Sequence, residues 1–242
     1  MEHIEKQLIG TAWPFWECEG EIAKRYFKTA TKEDHIFYLR AQLWKELNPV
    51  DGYFNGLHKE LENLVNRFGE IDEGIDRHEY HFLLTQLAEE FNHYVLLADI
   101  FEYATGSKIR REDTVQMSQE KILGHIRRDY VENGNALTRA AVGFTEGGGA
   151  RLFREGSKLH GNVINNMTAK AMKTIFEDEK DHYSQQVKIC IKLIDSTKDL
   201  IEMQKAIEII SLQRVAMRAE MFPGAMSEEE IKVFLKQNSQ EL

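Results

Sequence analysis

Only three prolines interrupt the 242 residues of this chain, and between them apolar side chains recur at intervals of three and four positions. That spacing is the period of an amphipathic α-helix, whereas a half-buried strand would alternate apolar and polar residues. Proline is strongly unfavourable inside helices, so its scarcity leaves long stretches free to be helical. The sequence therefore predicts an all-α fold: a four-helix bundle with one long crossover connection and extra helices at both ends.

The loop signals between these stretches place the helices. After a loose opening segment, helical spacing covers about 20–47, and Asn48-Pro49 then indicates a new helix start. The core helices are expected over about 50–68, 77–104, 118–153 and 166–194. The run at 133–135 leaves open whether the third helix is broken. Further helices are expected near 198–221 and 227–237, and no boundary divides 1–242, so we expect one domain with its core at about 48–196.

The charge and cysteine content exclude several classes of protein. Lys plus Arg (31) against Asp plus Glu (40) gives a net charge of −9, which argues against a nucleic-acid partner. No stretch approaches the roughly 18 apolar residues that cross a bilayer, and the start, MEHIEKQLIG, lacks a basic segment followed by an apolar one. We therefore expect a cytoplasmic protein without membrane contact. Cys18 and Cys190 are too few for a cysteine metal site, so His and carboxylates must hold any metal.

Two matching hexapeptides put acids and histidines on apolar helix faces. Residues 89–94 and 178–183 both read acid, Glu, any residue, Asn or Asp, His, Tyr. Within each, the Glu and the His three positions later lie about 300° apart around the helix and one turn along, so they project from the same face. Both pairs, Glu90 with His93 and Glu179 with His182, extend apolar rows. The pairs are therefore predicted to face a core and to bind one ion each.

Two further glutamates lie on apolar rows about 30 residues upstream of these pairs. Glu60 precedes Glu90, and Glu146 precedes Glu179. Antiparallel helices joined by a short loop would bring the members of each set to similar heights. Because a buried, unpaired carboxylate costs several kcal/mol, four acids in one core predict a metal site.

Alternatives remain open for this interpretation. Glu62 or Glu46 could replace Glu60, although Glu62 points about 200° away from Glu60 on a helix. The acids and histidines could also belong to solvated faces of a metal-free helical scaffold. In that case they would pair at the surface with the nearby arginines, Arg139, Arg151 and Arg154.

The arrangement resembles the ferritin-like di-iron carboxylate superfamily, in which two helices supply one Glu each and two others a Glu-x-x-His each. The resemblance implies two irons, although the same ligand types also suit manganese or a mixed pair. It also implies that the acid before each ligand Glu holds the opposite histidine, so that Asp178 would bind His93 and Glu89 would bind His182. The implied ligands and catalytic residues are Glu60, Glu90 and His93 for one metal and Glu146, Glu179 and His182 for the other.

This resemblance also implies an activity. The chain looks more like di-iron oxidases and oxygenases than storage ferritins, because the separation between His93 and Glu146 is long and extra helices are expected at both ends. A rubredoxin module, as in rubrerythrins, is not expected, because the sequence contains no CxxC pair. We therefore expect a non-haem di-iron monooxygenase or oxidase acting on dioxygen and a small organic substrate. An external electron donor is expected, since no nucleotide-binding fingerprint is present. The alternative is a ferroxidase, an iron store or a peroxide scavenger, and a homodimer is expected only on general frequency.

Three consecutive glycines follow Glu146. Glycine inside a helix costs up to about 1 kcal/mol relative to alanine, so Gly147, Gly148 and Gly149 require a reason. They could leave space for dioxygen or substrate beside the metals, or permit a π-bulge; alternatively the helix breaks there or packs closely on a neighbour. The residues expected to line a substrate cavity are Phe91, Tyr94, Phe144, Gly147, Ala150, Phe153 and Ile175.

Overall fold

The structure is a computed structural model that describes residues 2–49 and 56–239; within 180–185 it describes the backbone but not the side chains. Throughout this described part the chain is helical and no strand is formed, so the predicted all-α class is confirmed. The helices are α1 (Glu2–Thr29), α2 (Lys32–Leu47), α3 (Leu57–Arg67), α4 (Arg77–Thr105), α5 (Ser118–Glu132), α6 (Ala136–Phe144), α7 (Gly147–Gly156), α8 (Val163–Lys192), α9 (Thr197–Met221) and α10 (Glu228–Asn238).

Helix α4 begins and ends where its sequence predicts. The Asp76 side chain accepts the backbone N–H groups of His78 and Glu79, which otherwise have no partner in a first turn. Gly106 then adopts φ 71°, a left-handed conformation that suits glycine, and ends the helix. The predicted limits of α8, α9 and α10 also agree with the structure to within three residues.

The opening segment is helical rather than loose, so that prediction was wrong. Leu8, Ala12 and Trp16 are buried on one face of α1, which packs against α7 and α9. Pro14 lies inside this helix and is itself buried. An interior proline costs about 3 kcal/mol, and the burial of this apolar face is the term that offsets it.

The predicted third core helix is three helices. Asn135 caps α6 by accepting the backbone N–H of Thr138, which makes the break near 133–135 a real one. A second break separates α6 from α7 at Thr145 and Glu146, next to the glycines where a helix break was one of the open alternatives. The Thr145 hydroxyl donates to the Val142 carbonyl at 2.8 Å at this point.

The helix predicted over about 50–68 is shorter and more peripheral than expected. Residues 50–55 lie outside the described part, and α3 begins only after Gly56, with Leu57 and Leu64 as its buried residues. It packs on α4, where Tyr80 donates a 2.6 Å hydrogen bond to the Leu64 carbonyl. Helix α2 also packs on α4 and occupies the place beside α4 that the prediction gave to 50–68.

The remaining packing brings the site helices together. Helix α4 packs on α8, α8 packs on α6 and α7, and α9 packs on α1, α5 and α6. The result is a helical bundle in which α2, α4, α8 and the α6–α7 break surround one interior region. Among the described helices, none combines the length and apolar character needed to cross a membrane.

Candidate metal centre

The imidazole of His93 lies at the middle of this interior region and is fully buried. Its Nε2 lies 3.2 Å from Asp178 Oδ2 on α8, so the contact expected between these two residues is present. A carboxylate only accepts hydrogen bonds, so Nε2 donates to Asp178, and in a neutral imidazole the lone pair then lies on Nδ1. That buried Nδ1 has no hydrogen-bond partner in the described part of the chain.

Three carboxylates surround this nitrogen. Glu46 Oε2 lies 3.8 Å from His93 Nδ1, and Glu90 Oε2 and Glu179 Oε1 each lie 3.9 Å from it. These separations are too long for hydrogen bonds, and all four atoms are acceptors. Oxygen and imidazole donors are also the ligands that iron, manganese and zinc take from proteins. One donor atom from each of Glu46, Glu90 and His93 lies within 4.8 Å of the others, which suits a shared cation.

Glu46 is oriented by Gln42 of the same helix, which is in turn held by Arg218 in the last turn of α9. Gln42, one turn earlier on α2, donates from Nε2 to Glu46 Oε1 at 2.5 Å. Arg218 on α9 donates to Gln42 Oε1 at 3.2 Å, so the Gln42 amide can present only its NH₂ group to Glu46. The other oxygen of Glu46 is thereby turned towards His93. Burial raises the pKa of Glu46, and the neighbouring His93 only partly opposes this.

Glu146 lies in the break between α6 and α7 and points into the same cavity. Its Oε1 accepts from Arg127 at 2.5 Å and lies 3.5 Å from Arg214. Burial by itself would raise the pKa of Glu146, but Arg127 and Arg214 outweigh it and hold the pKa below its ordinary value. The cavity has a volume of about 60 Å³, and its acidic lining includes Glu46, Glu90, Glu146 and Glu179.

Four basic side chains also line this cavity, and each pairs with an acid other than the three beside His93. Lys45 pairs with Glu120 at 2.9 Å. Arg127 pairs with Glu146, and Arg214 and Arg218 both pair with Glu19. The three arginines named in the metal-free alternative lie elsewhere: Arg151 and Arg154 pair with Glu17, and Arg139 is exposed.

Two sequence-predicted ligands are not placed at this centre. Glu60, on α3, is not among the residues lining the cavity and accepts from Asn63 at 3.4 Å on its own helix. Glu46, the alternative left open above, lies beside His93 instead. The His182 side chain lies outside the described residues, so its pairing with Glu89 stays a prediction; Glu89 accepts from Gln86 at 3.1 Å.

The glycines after Glu146 are explained by close packing of α1 on α7. A Cβ at Gly147 would approach the Trp16 ring to 2.7 Å, and one at Gly148 would overlap Glu19 Oε1. The absence of side chains at Gly147 and Gly148 therefore makes room for α1, not for dioxygen or substrate. Gly147 does not line the carboxylate cavity. Gly149 and Phe153 do line the cavity beside the carboxylates.

The other expected cavity residues divide between a groove and the core. Phe91 and Tyr94 line a separate groove along α4, which Glu90 does not line. Ala150, Ile175 and Phe144 are buried core residues that line neither this groove nor the carboxylate cavity.

Glu46 could have been found from its position on α2. Leu39 and Leu43 precede it by seven and three residues, are fully buried, and make an apolar row that Glu46 extends. The arginines were not recognised because their contacts join helices far apart in the sequence. Compared with known protein families, curated proteins and solved structures, the chain matches none.

Proposed function

We propose that this protein is a non-haem di-metal oxidoreductase with a ferritin-like bundle, which uses dioxygen to oxidise or oxygenate a small organic substrate. One observation carries the proposal. The buried Nδ1 of His93 presents a lone pair to three carboxylate oxygens at 3.8–3.9 Å, with Nε2 already committed to Asp178. Four converging acceptors are stable together when a cation lies among them. Iron is the metal that the family resemblance implies.

The side chains present fit such a group. Glu46, Glu90 and His93 would hold the first metal. Glu179 and Glu146 would serve the second, with His182 included on the family resemblance alone. Oε2 of Glu146 has no hydrogen bond within the described residues, since Arg127 and Arg214 both contact Oε1.

When bound, the metals would supply the capacity to bind and reduce dioxygen, with electrons from an external donor. The residues of this chain do the rest. Asp178 holds the His93 tautomer that leaves Nδ1 available, and Gln42 turns one oxygen of Glu46 towards it. Arg127 and Arg214 keep Glu146 ionised. The enclosing helices limit access of water to this region.

A large apolar groove favours an organic substrate over iron storage. It has a volume of about 1130 Å³ and lies beside the carboxylate cavity, with Asn48 lining both. Enzymes need such a space for an organic molecule, whereas a ferroxidase or iron store handles only small ions and oxygen species.

Metal content tests the proposal. The full-length chain, purified with ferrous iron or manganese, should hold between one and two metal ions per chain by elemental analysis. Glu46→Gln should remove most of the metal, whereas Glu60→Gln, a matched change on α3, should retain it. The second-sphere change Asp178→Asn should lower metal affinity by about 10- to 100-fold. The ferrous protein should also consume dioxygen when a reductant is supplied.

Other outcomes would contradict specific parts of this assignment. Fewer than about one metal per chain in the wild type, with no loss in Glu46→Gln, would remove the metal centre. Loss of metal in Glu60→Gln but not in Glu46→Gln would show that the metal-binding glutamate is Glu60 of α3 and not Glu46 of α2. A 24-subunit cage by size-exclusion chromatography would favour the iron-storage alternative.

A further inference from the structure

The groove on the outer side of α4 has an apolar wall. It lies between the C-terminal end of α2, helix α3, helix α4 and the segment 109–116. Its volume of about 1130 Å³ is that of a site for a sizeable organic ligand. The apolar wall is made chiefly by Leu47, Leu57, Leu61, Leu84, Leu87 and Phe91.

Among the residues that the structure describes, the charged side chains lining the groove are all basic. Arg110, Arg111 and His58 are the basic residues of its lining, and no acidic residue of the described chain is among the lining residues. This is unusual in a protein of net charge −9. Arg110 lies 3.4 Å from Glu112, but no carboxylate of the described ranges pairs with Arg111. Within the described residues, Arg111 is therefore an arginine of the groove lining whose guanidinium has no carboxylate partner.

The groove is long and runs beside the proposed metal centre. Its lining residues on α4 extend from Leu84 to Tyr94, which spans about 15 Å at a rise of 1.5 Å per residue. Glu90 and Phe91 are neighbours on α4, yet one lines the carboxylate cavity and the other the groove. Asn48 lines both spaces, so they adjoin at the end of α2.

We propose that this groove binds a linear amphiphilic carboxylate, with its hydrocarbon chain along the apolar wall and its carboxylate on Arg111. The elongated apolar wall provides affinity for the chain, and a planar guanidinium matches a carboxylate by two parallel hydrogen bonds. That this ligand is the substrate of the metal centre rests on the function proposed above; its binding does not.

Calorimetry on the full-length chain, with and without added manganese, tests the binding. The probes are dodecanoate, dodecan-1-ol and dodecyltrimethylammonium below their micelle concentrations. One dodecanoate should bind per chain, about tenfold or more tighter than the alcohol and the cation, because only the carboxylate gains a charge-assisted bond. Arg111→Gln should weaken dodecanoate by about tenfold and remove the preference over the alcohol. Arg139→Gln, on an exposed arginine of α6, is the matched control and should change nothing.

Two further variants locate the ligand in the groove. Leu84→Glu places an acid in the apolar wall at an exposed position, so it should weaken dodecanoate without unfolding the chain. Trp44 lines the groove, whereas Trp13 and Trp16 lie on α1. Dodecanoate should therefore change the tryptophan fluorescence of the wild type but not that of Trp44→Phe.

Several results would overturn the groove assignment. These are equal affinity for the carboxylate and the alcohol, an unchanged affinity in Arg111→Gln, or binding heat without a response from Trp44. Because the metal-free chain is tested as well, such a failure would leave the metal centre intact. Conversely, absence of metal together with dodecanoate binding would remove the proposed oxidoreductase and leave the groove.

Discussion

Two buried charged clusters in this molecule differ in how their charges are balanced. In the first, Glu19 of α1 accepts from Arg214 at 2.8 and 3.1 Å and from Arg218 at 3.0 Å, all three side chains being almost fully buried. In the second, three carboxylate oxygens lie 3.8–3.9 Å from His93 Nδ1. The first cluster supplies its own counter-charges, whereas the second brings together the donor types that a metal cation would take.

The pKa of a buried glutamate is shifted in opposite directions in the two clusters. Burial would raise the pKa of Glu19, but Arg214 and Arg218 outweigh burial and lower it. Burial also raises the pKa of Glu46, and there the opposing effect of His93 is too small to reverse it. Glu19 is thus stabilised in its charged form by arginines of the fold, whereas the charged form of Glu46 is disfavoured. A buried acid of the second kind is a candidate for binding a cation.

The largest expected effect on stability comes from a substitution in the first cluster, which consists of Glu19, Arg214 and Arg218. Glu19→Gln should lower the free energy of unfolding by about 3–5 kcal/mol, because it leaves two buried guanidinium groups without their carboxylate. Denaturation with urea at neutral pH measures it, with Glu21→Gln as the control. Glu21 makes partly exposed ion pairs with Lys24 and Arg25, which are worth at most about 1 kcal/mol.

This stability should depend on pH with a defined sign. The folded-state pKa of Glu19 lies below its unfolded value, so its contribution is present above the unfolded pKa and is lost as pH falls through the folded one. The difference between wild type and Glu19→Gln should therefore shrink in acid. A difference no larger than that of Glu21→Gln, or one that grows in acid, would show that the two clusters are not balanced differently.

A smaller effect on stability is expected from replacing the glycines of α7 that pack against the first cluster. Gly148→Ala should destabilise the protein by about 1–3 kcal/mol, because the new Cβ overlaps a Glu19 oxygen that two arginines hold in place. Gly149→Ala meets Arg214 Nη2 at an ordinary 3.5 Å and should be neutral or stabilising by up to about 1 kcal/mol. Thermal unfolding of the two variants checks this pair. Equal tolerance of both would mean that packing on α1 is not the reason for these glycines.

The smallest expected effect is an increase, rather than a decrease, in the free energy of unfolding. In protein treated with a chelator, Glu46→Gln should raise the free energy of unfolding by about 1 kcal/mol, since an amide can donate to His93 Nδ1 where a carboxylate cannot. Glu60→Gln, on the peripheral helix α3, should have almost no effect in the same urea titration. Destabilisation of Glu46→Gln on the scale of Glu19→Gln would end the contrast between the clusters.

Much of the local structure could be predicted from the sequence. The Asp76 cap and Gly106 set the ends of α4, and the helical period placed Glu90 and His93 on one face. The family resemblance implied that Asp178 binds His93 and that Glu179 belongs to the same centre, and the structure places both within 4 Å of His93. These inferences succeed because caps and helical faces depend on residues within one or two turns.

The choice between Glu46 and Glu60 could not be made in this way. Both extend apolar rows, and the separation of about 30 residues that favoured Glu60 assumed that the helix over 50–68 packs in the core beside α4. Gln42 orients Glu46 from within α2, but Gln42 is itself held by Arg218 of α9, 176 residues away in the sequence.

The sequence by itself determined that this chain is helical and which faces of α4 and α8 carry acids and histidines, because helix formation and side-chain direction depend on local spacing. Only the tertiary structure decided that α2 rather than α3 lies beside His93, that Glu19 occupies the space left by Gly148, and that Arg127 and Arg214 hold Glu146. Those outcomes depend on how whole helices bury their apolar surface against one another, and a contact between distant helices leaves no periodic mark in either of them.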